Sequence, residues 1–378
     1  MKLPSSNIKL GAIVFIAIVI SSCRAIYYNI PDIDDHKIFP AQTIRHDDSN
    51  VFRFYKAENA NDFGKEILVN NKSFGTQVVD LESFCNCTQT AAFLIIRNDS
   101  VIYEYYGEGY SDSTLLNPFS ITKAFLTTLT GIAIREGKIK SVDDPVSKYL
   151  PEFSDTEIGD VKIRQLLKHT SGIKFNDSQL NPLAGNAKYY YGRNLRKYMT
   201  RLELDTPEGT EYKYSSANAQ LLAMTIERAV DTTLSAYLES RLWQEIGMQY
   251  DGSWSMDRKG ENAMEKAFSG LNSTPIDLAK LGRLYLQKGK WDNKAIIPKE
   301  FVCEATKRDV SEGSRLDYQY NFGVGPEKYG SFFAVGLYGQ LVYVYPEEQI
   351  IMVRNAESCR HYNPPFIYYV MAQIVDQL

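Results

Sequence analysis

The sequence has few of the residues on which metal and redox chemistry depend. Five cysteines and four histidines occur among 378 residues, and they are scattered along the chain. Cys85 and Cys87 are too close to bridge each other easily in an extended chain, and no second pair stands at the spacing of a zinc site. Cys303 and Cys359 are far from them. We therefore expect structural or disulfide use of these cysteines rather than metal binding, and we expect no cofactor.

An excess of charge of one sign is also lacking. The chain has 42 basic and 46 acidic residues, and its formal net charge is -4, with no long run of either sign. Nucleic-acid binding therefore has no electrostatic support. The composition is that of an ordinary globular protein, and a chain of 378 residues can bury a core without help from disulfides or metals.

The N-terminal apolar run, residues 10–20, is shorter than the about 20 residues that a membrane-spanning helix needs. Two lysines precede the uncharged segment 10–20, and the tetrapeptide ISSC at 20–23 follows it. This pattern is typical of a signal peptide over 1–23. Its small-small-Cys ending resembles a bacterial lipobox, which implies cleavage before Cys23 and lipid attachment to the thiol. The alternative is an uncleaved signal anchor. Both lead us to expect a membrane-tethered protein of the cell envelope, facing the periplasm or the outside.

Hydrophobic periodicity predicts strands, then many helices, then strands again. We interpret 24–84 as an N-terminal extension that wraps a main domain over 85–378. The predicted elements are a hairpin over 91–106, helices over 117–136, 161–168, 217–230 and 274–291, strands over 332–335, 340–345 and 350–355, and a helix after Pro365.

A serine and a lysine three residues apart occur three times, at 6–9, 120–123 and 171–174. About one or two copies are expected by chance in a chain of this length. The first copy lies in the predicted leader, and the third contains Gly172 with no helical pattern after it. Ser120 and Lys123 differ, because the predicted helix capped by Asn117 places both on one face.

Ser120 and Lys123 have the residue types of a nucleophile and its base. A serine hydroxyl is a weak nucleophile until a neighbouring base takes its proton. A lysine is such a base only when its pKa falls well below about 10. Burial among apolar residues and the positive end of a helix both favour the neutral amine. The alternative for this pair is a capping serine beside an ordinary surface lysine.

Five separated segments agree in order with the motifs of one enzyme family. They are PFSITKAFLTTLTGIAIREGKIKSVDDPVSKYLPEF, IRQLLKHTSGI, PEGTEYKYSSANAQLLAMTIERA, LNSTPIDLAKLGRLYLQKGKW and VGLYGQLVYVYPEEQIIMV. From about residue 85 onward the chain resembles the penicillin-recognising serine hydrolases, which include class C β-lactamases, D-alanyl-D-alanine peptidases and related esterases and amidases. GSWSMDRKG and LYGQ are most similar to the branch that includes 6-aminohexanoate-dimer hydrolase. The resemblance implies an α/β (α+β) fold, in which helices flank an antiparallel sheet and a mainly helical region is inserted over about 141–290.

The resemblance implies roles for the matching positions. Ser120 matches the nucleophile and Lys123 its proton acceptor. Tyr214, in the second motif Tyr214-Ser215-Ser216, would share the proton transfer and protonate the leaving group. Ser216 would hydrogen-bond the lysine or the substrate.

Tyr212 is a competitor for the role of Tyr214, because both would face one side of an extended segment. The family spacing from Gly209 favours Tyr214.

The third family motif is matched by Leu337-Tyr338-Gly339, which the resemblance places on a strand that lines the site. Gly339 is kept, but Leu337 replaces the lysine or histidine that commonly meets a substrate carboxylate. This replacement favours an esterase or amidase acting on a neutral group. The backbone N–H groups of Ser120 and Gln340 would form the oxyanion hole, and Tyr338 would line the pocket or pack in the core.

Three further features have mainly structural interpretations. His169 suggests a serine–histidine pair, but it belongs to a family loop motif that we expect to be structural. We expect Asp143 and Asp144 to serve as turn and capping groups. Trp254 either lines the pocket or packs in the core.

Together these patterns predict a serine hydrolase that cleaves a small-molecule ester or amide through an acyl-enzyme on Ser120. The alternative is a catalytically weak sensor of the penicillin-binding type or an envelope binding protein. This alternative is supported by Leu337, which replaces the lysine or histidine of the family motif.

Overall fold

The computed structural model describes residues 31–71, 75–178, 181, 184–358 and 364–378. The predicted leader with Cys23 lies outside these residues, and so does Cys359. Within the described part of the chain, no helix is long and apolar enough to cross a membrane.

Fifteen strands are described. In chain order they are β1 Ala41–Ile44, β2 Tyr55–Lys56, β3 Ile67–Asn71, β4 Gly75–Val79, β5 Thr90–Arg97, β6 Ser100–Tyr106, β7 Gly252–Ser255, β8 Leu271–Asn272, β9 Lys290–Trp291, β10 Lys294–Ala295, β11 Tyr318–Gln319, β12 Phe322–Val324, β13 Phe332–Gly336, β14 Gln340–Tyr345 and β15 Ile350–Ala356.

Helices make up much of the described chain between β6 and β11. In chain order the α-helices are α1 Leu81–Cys87, α2 Thr122–Arg135, α3 Glu157–Asp160, α4 Ile163–Lys168, α5 Gly185–Tyr191, α6 Leu195–Met199, α7 Ser216–Val230, α8 Leu234–Leu238, α9 Pro275–Leu286, α10 Lys299–Ala305 and α11 Pro364–Gln377. Short 3-10 turns occur at Asp35–Lys37, Phe119–Ile121, Val146–Lys148, Pro151–Phe153, Glu327–Tyr329 and Leu337–Gly339, and a π-helical turn occurs at Glu239–Trp243.

An eight-stranded sheet has the order β11-β12-β13-β14-β15-β5-β6-β2. Every neighbouring pair in it is antiparallel except the edge pair β2 and β6, which is parallel. The central strands are apolar on both faces because helices cover both. Leu94 and Val353 pack in a cluster with residues of α2 and α9, whereas Phe93 and Met352 pack with residues of α11. The predicted fold class is confirmed.

Local sequence signals account for the ends of several elements. The predicted hairpin is β5 and β6, and Asn98 and Asp99 form its turn with φ of 50° and 59°, values that these two residues tolerate better than most. Thr274 caps α9 by accepting a hydrogen bond from the Asp277 N–H, as predicted. The predicted helix over 217–230 is α7.

Residues before α1 add strands to the rest of the molecule at three places. β1 pairs with β7, β2 pairs with the sheet edge at β6, and the β3–β4 hairpin lies beside α11. The Gln373 side chain of α11 bonds to both the N–H and the carbonyl of Leu68 in β3. These contacts attach the N-terminal part of the described chain to β7, to the sheet edge at β6 and to α11.

Candidate active site

Ser120 lies in a tight turn that leads into α2. The Oδ1 atom of Asn117 accepts a hydrogen bond from the Phe119 N–H at 2.8 Å. Phe119 has a φ of 48°, a conformation that costs a non-glycine residue about 1–3 kcal/mol. A 3-10 turn over Phe119–Ile121 precedes the α-helix, which begins at Thr122. The predicted helix from 117 is therefore wrong at its start, because the Asn117 side chain holds the chain in a turn.

Lys123 is buried directly behind Ser120. Its side chain is 1% exposed, and its Nζ lies 2.9 Å from Ser120 Oγ and donates to the Phe268 carbonyl at 2.7 Å. Burial lowers the pKa of Lys123 to about 8, while the nearby Asp177 carboxylate acts in the opposite direction. The buried environment thus meets the condition under which a lysine can act as a general base near neutral pH.

Tyr214 joins this pair from the segment before α7. The Nζ of Lys123 lies 4.9 Å from the centroid of the Tyr214 ring, and the same Nζ lies 2.9 Å from Ser120 Oγ. Burial raises the pKa of Tyr214 well above its usual value, so the Tyr214 hydroxyl keeps its proton at neutral pH. The structure therefore brings Ser120, Lys123 and Tyr214 together.

Tyr212, the competitor of Tyr214, packs in a different environment. Its ring lies 5.4 Å from the Tyr318 ring and 5.5 Å from the Arg315 guanidinium group. Burial raises the pKa of Tyr212 to about 12. The geometry favours Tyr214 as the residue beside the nucleophile.

His169 holds Tyr214 in place and has no free nitrogen for catalysis. Its Nδ1 accepts from the Ser215 N–H at 3.1 Å. Because an amide can only donate, the ring proton must be on Nε2, which donates to Asn321 Oδ1 at 3.0 Å. Burial lowers the pKa of His169 to about 3, and its ring stacks on Tyr214 at 4.4 Å. The structural role predicted for His169 is confirmed.

Asp143 and Asp144 stabilise the connector after α2. The Asp143 carboxylate accepts two hydrogen bonds from Arg164, at 2.7 and 2.9 Å. Asp144 accepts from the Ser141 N–H at 3.1 Å and from Lys148 Nζ at 2.6 Å. Both residues serve the turn, as predicted.

Ser216 and Asp177 add polar groups beside the catalytic cluster. Ser216 is buried at the start of α7 and lines the same pocket as Ser120. Asp177 lies beside it, and the Oδ1 atom of Asp177 is buried without a hydrogen-bond partner among the described residues. Burial raises the pKa of Asp177, and the positive charge of Lys123 opposes that rise. Asp177 was not predicted, because it lies in a polar segment without a motif or a periodic pattern.

The end of β13 approaches the turn that carries Ser120. A Cβ atom placed on Gly336 would lie 2.2 Å from the Pro118 carbonyl oxygen, so only glycine allows this approach. Leu337, the next residue, lines the pocket together with Ser120. The glycine that packs against the turn before Ser120 is therefore Gly336, three residues before the glycine that the sequence motif indicated.

Leu337–Gly339 forms a turn rather than a strand, which corrects the predicted placement of the third motif. Tyr338 and Gly339 have φ of 63° and 76°, and the Gln340 N–H donates to the Leu337 carbonyl inside the turn. The Gln340 side chain donates to the Ala356 carbonyl at 2.6 Å. This geometry argues against Gln340 as an oxyanion donor, because its N–H already has a partner.

Gly339 and Tyr338 stabilise the turn and the segment beside it. Their carbonyl oxygens accept from the buried Arg354 guanidinium group at 2.9 and 3.1 Å. The Tyr338 ring meets the edge of the Phe119 ring at 5.7 Å, and its hydroxyl donates to the Pro31 carbonyl at 2.6 Å. Gly339 thus serves the chain reversal, whereas Tyr338 supports the residue next to the nucleophile.

Ser120 opens on a small pocket with an empty volume of about 300 Å³. The described residues that line it are all uncharged: Pro31, Phe119, Ser120, Asn186, Tyr190, Ser216, Phe268, Ser269 and Leu337. The Ser269 hydroxyl is buried and has no hydrogen-bond partner among the described residues, so it is available to a substrate. Trp254 is fully buried, and its Nε1 donates to the Lys266 carbonyl at 3.4 Å. It belongs to the core.

None of the cysteines that the structure describes lines the pocket at Ser120. Cys85 is buried, Cys87 and Cys303 are exposed, and all three are free thiols. In the part of the chain that the structure describes, no three His, Cys, Asp or Glu side chains are grouped to hold a metal ion.

Comparison with known proteins places these motifs in a family. The model of the Beta-lactamase family matches residues 88–358. The 6-aminohexanoate-dimer hydrolase of Paenarthrobacter ureafaciens is 25% identical over 311 residues, which cover 76% of this chain and 78% of that protein.

Two solved structures have the same fold. One is described as "Putative 6-aminohexanoate-dimer hydrolase from Bacillus anthracis", with a TM-score of 0.78 at 21% identity over 91% of both chains. The other is an octameric penicillin-binding protein homologue from Pyrococcus abyssi, with a TM-score of 0.62 at 20% identity over 79% of this chain and 77% of that one.

The family match covers more than half of the chain and includes Ser120, Lys123 and Tyr214. The predicted resemblance to penicillin-recognising serine hydrolases is confirmed. The protein is an enzyme, a serine hydrolase that acts on ester or amide bonds, and the chain belongs to the beta-lactamase family.

Proposed function

We propose that this hydrolase cleaves a small, neutral ester or amide through an acyl-enzyme on Ser120. The observation that best supports this proposal is the position of Lys123, whose buried Nζ lies 2.9 Å from Ser120 Oγ. At that distance an amine of lowered pKa can take the serine proton while Oγ attacks a carbonyl carbon.

In the acylation step, Ser120 Oγ bonds to the carbonyl carbon and its proton passes to Lys123 Nζ. The carbonyl oxygen becomes an oxyanion in a tetrahedral intermediate. When this intermediate collapses, the bond to the leaving group breaks and that group takes a proton from the Tyr214 hydroxyl. Tyr214 regains its proton from the Lys123 ammonium. The raised pKa of Tyr214 fits this role, because the hydroxyl is protonated before the step and is restored after it.

Two backbone N–H groups, those of Ser120 and Leu337, are our candidates for the oxyanion hole. The close approach of Gly336 to Pro118 supports Leu337, because it brings the end of β13 against the turn of the nucleophile. The internal hydrogen bond of Gln340 weighs against the donor predicted from the sequence. Fixed amide donors stabilise the charge that develops on the oxygen in the transition state.

Deacylation uses the same groups in reverse. A water molecule attacks the acyl carbonyl and gives its proton to the Lys123–Tyr214 pair. The new tetrahedral intermediate then expels Ser120 Oγ, which takes a proton back from that pair. The products are the carboxylic acid and free enzyme, in which Ser120, Lys123 and Tyr214 have regained their starting protonation states.

A neutral substrate is favoured by the charges around the pocket. The described residues that line it include no lysine or arginine to meet a substrate carboxylate. The Asp177 carboxylate, close enough to influence Lys123, would repel an anionic group. The name of the Paenarthrobacter relative adds support for an amide as one substrate class.

Turnover of p-nitrophenyl acetate and of p-nitroacetanilide by the full chain tests this proposal. We expect multiple turnovers with at least one of them and loss of turnover in Ser120→Ala. A single stoichiometric burst without further turnover would instead support the weakly acylated sensor. Hydrolysis by well-folded Ser120→Ala at the wild-type rate would contradict the proposal.

We also propose, from the sequence alone, that the enzyme is tethered to the cell envelope through a lipid on Cys23. Metabolic labelling with a fatty-acid probe should mark the wild-type protein. Label that persists in Cys23→Ala would contradict the lipid attachment.

A further inference from the structure

Residues 31–39 run from the pocket wall beside Ser120 to helix α5, and we call this segment the strap. At its start, Pro31 is part of the pocket wall beside Ser120. The Pro31 carbonyl accepts from the Tyr338 hydroxyl at 2.6 Å, and the Ile33 carbonyl accepts from the Asn117 N–H at 3.3 Å. The strap is thereby fastened to the turn before Ser120 and to the turn after β13.

The other end of the strap is fastened to α5, on a different wall of the pocket. Asp35 is 6% exposed, and its carboxylate accepts a hydrogen bond from the Asp32 N–H at 2.9 Å. Burial, and after it the neighbouring Asp35 carboxylate, raises the pKa of Tyr190 and of Tyr191, so this carboxylate lies beside both rings. The Phe39 ring meets the edge of the Tyr190 ring at a centroid distance of 5.3 Å. Tyr190 itself lines the pocket. The strap therefore ties together walls that come from distant parts of the sequence.

The Phe39 ring packs on Tyr190, which lines the pocket at Ser120, and on Tyr191, which lines a second cavity. Ile38, Phe39 and Pro40 line a larger open cleft that contains none of the three catalytic candidates. The pocket at Ser120 is much smaller than this cleft. The strap lies outside residues 88–358, the part that the family model matches. It therefore reaches the pocket from outside the part of the chain that carries Ser120, Lys123 and Tyr214.

We propose that the strap determines substrate size: it keeps the pocket narrow, so that the enzyme accepts short, uncharged acyl groups and rejects long ones. This inference rests on the proposed acyl-enzyme at Ser120. Releasing the strap from α5 should join the pocket to the neighbouring open cleft and allow a longer acyl chain to enter. The strap residues do not touch the proton-transfer groups, so the chemical step on the shortest acyl group should continue.

The test compares p-nitrophenyl acetate, butyrate and octanoate as substrates of the full-length protein. Asp35→Asn removes the carboxylate charge beside the two tyrosines, and Asp35→Ala/Phe39→Ala removes both strap side chains that lie against Tyr190 and Tyr191. Asp34→Asn is the matched control, because Asp34 lies in the same segment and pairs only at the surface with Lys37. Hydrogen exchange measured over 31–39 reports whether the strap is released.

In the double variant we expect faster exchange over 31–39 and an octanoate-to-acetate ratio of kcat/KM that rises at least about tenfold, a discrimination that pocket size alone can supply. Acetate hydrolysis should stay within about threefold of wild type, and Asp34→Asn should match wild type in both readouts. The proposal is overturned if exchange rises while the ratio stays unchanged. It is equally overturned if the double variant leaves exchange unchanged, because the named contacts then do not hold the strap.

Failure of the underlying mechanism gives a different result. If Ser120→Ala hydrolyses acetate as fast as wild type, the acyl-enzyme proposal fails whatever the strap does. If acetate hydrolysis depends on Ser120 but the octanoate-to-acetate ratio of kcat/KM is the same in the double variant as in wild type, only the strap proposal fails.

Discussion

Two copies of the same motif, Ser120 to Lys123 and Ser171 to Lys174, have opposite environments in this molecule. In the first copy the lysine is buried, and its Nζ lies 2.9 Å from the serine oxygen. In the second copy the lysine side chain is 62% exposed, and it meets Glu203 at 4.0 Å. Equal spacing in sequence therefore does not determine whether the two side chains meet.

The backbone between the two residues explains the difference. The first copy enters α2, so its serine and lysine lie one turn apart on one face. The second copy is interrupted by Gly172, which has a φ of 74° and packs so closely that a Cβ would lie 1.9 Å from the Thr206 carbonyl. That close contact forces the chain into a bend, and the serine and lysine diverge.

The serine of the second copy has a supporting role. Ser171 Oγ donates to Asn218 Oδ1 at 2.6 Å. The amide nitrogen of Asn218 lies 3.2 Å from Nδ1 of His169, whose ring stacks on Tyr214. The first copy therefore supplies the proposed catalytic pair, and the serine of the second copy belongs to the hydrogen-bonded network behind Tyr214. Substitutions made in matched pairs can separate the two roles.

The largest difference is expected between the two serines. Ser120→Ala removes the nucleophile and should lower kcat for ester hydrolysis by about 10³-fold or more. Ser171→Ala removes one hydrogen bond of the positioning network and should lower kcat by less than about tenfold. Steady-state kinetics on both variants, with circular dichroism to verify folding, measure the contrast. Equal losses in the two variants would contradict the assignment.

The two lysines should differ nearly as much. Lys123→Met removes the proposed base, and kcat should fall by about 10²–10⁴-fold. The fold should persist, because methionine has no charge to desolvate in that buried site. Lys174→Met removes an exposed ion pair and should change the free energy of unfolding by less than about 1 kcal/mol, with unchanged kcat. Activity assays and urea unfolding provide the two readouts, and an active, folded Lys123→Met would exclude the lysine as base.

The pH dependence follows from the state in which Lys123 works. A base must be neutral before it accepts a proton, so kcat/KM should rise with pH as Lys123 loses its proton at a pKa of about 8 and then level off. Lys174→Met should leave this profile unchanged, because Lys174 is exposed and distant from the pocket. A profile that falls with rising pH over that range would mean that the active lysine is the charged form.

The smallest predicted effect concerns Asp177. Its negative charge favours the ammonium form of Lys123 and thereby raises the pKa of that lysine. Asp177→Asn should therefore shift the rising limb of the pH profile to lower pH, by about one unit or less. Glu203→Gln, beside the exposed lysine of the second motif, is the matched control and should shift nothing. An unmoved midpoint in Asp177→Asn would indicate that this carboxyl is uncharged in the free enzyme.

The parts of the site that could be predicted from the sequence are local or carry a family motif. The pair Ser120 and Lys123 lies within one helical turn, and Tyr214 follows a recognisable segment. The structural role of His169 was also predictable, since its loop motif places it beside that segment. Helix α9 was predicted together with its cap at Thr274.

The parts that could not be predicted depend on contacts between distant segments. The Phe268 carbonyl that holds Lys123 is 145 residues away from it in the chain. Tyr338 and Gly339 adopt left-handed conformations, so the third motif forms a turn after β13. Gly336 packs against the Pro118 carbonyl instead. Asp177 lies in a polar segment with no periodic pattern, so no local signal predicts its approach to the catalytic lysine.

The most direct test of the central claim is to trap the acyl-enzyme. The full-length protein is mixed with excess p-nitrophenyl acetate, quenched in acid within the first turnovers, digested and measured by mass spectrometry. We predict one acetyl group, located on the peptide that contains Ser120 and absent from the peptide that contains Ser171. Turnover without an acyl adduct on Ser120 under several quench times, or an adduct that persists in Ser120→Ala, would contradict the account.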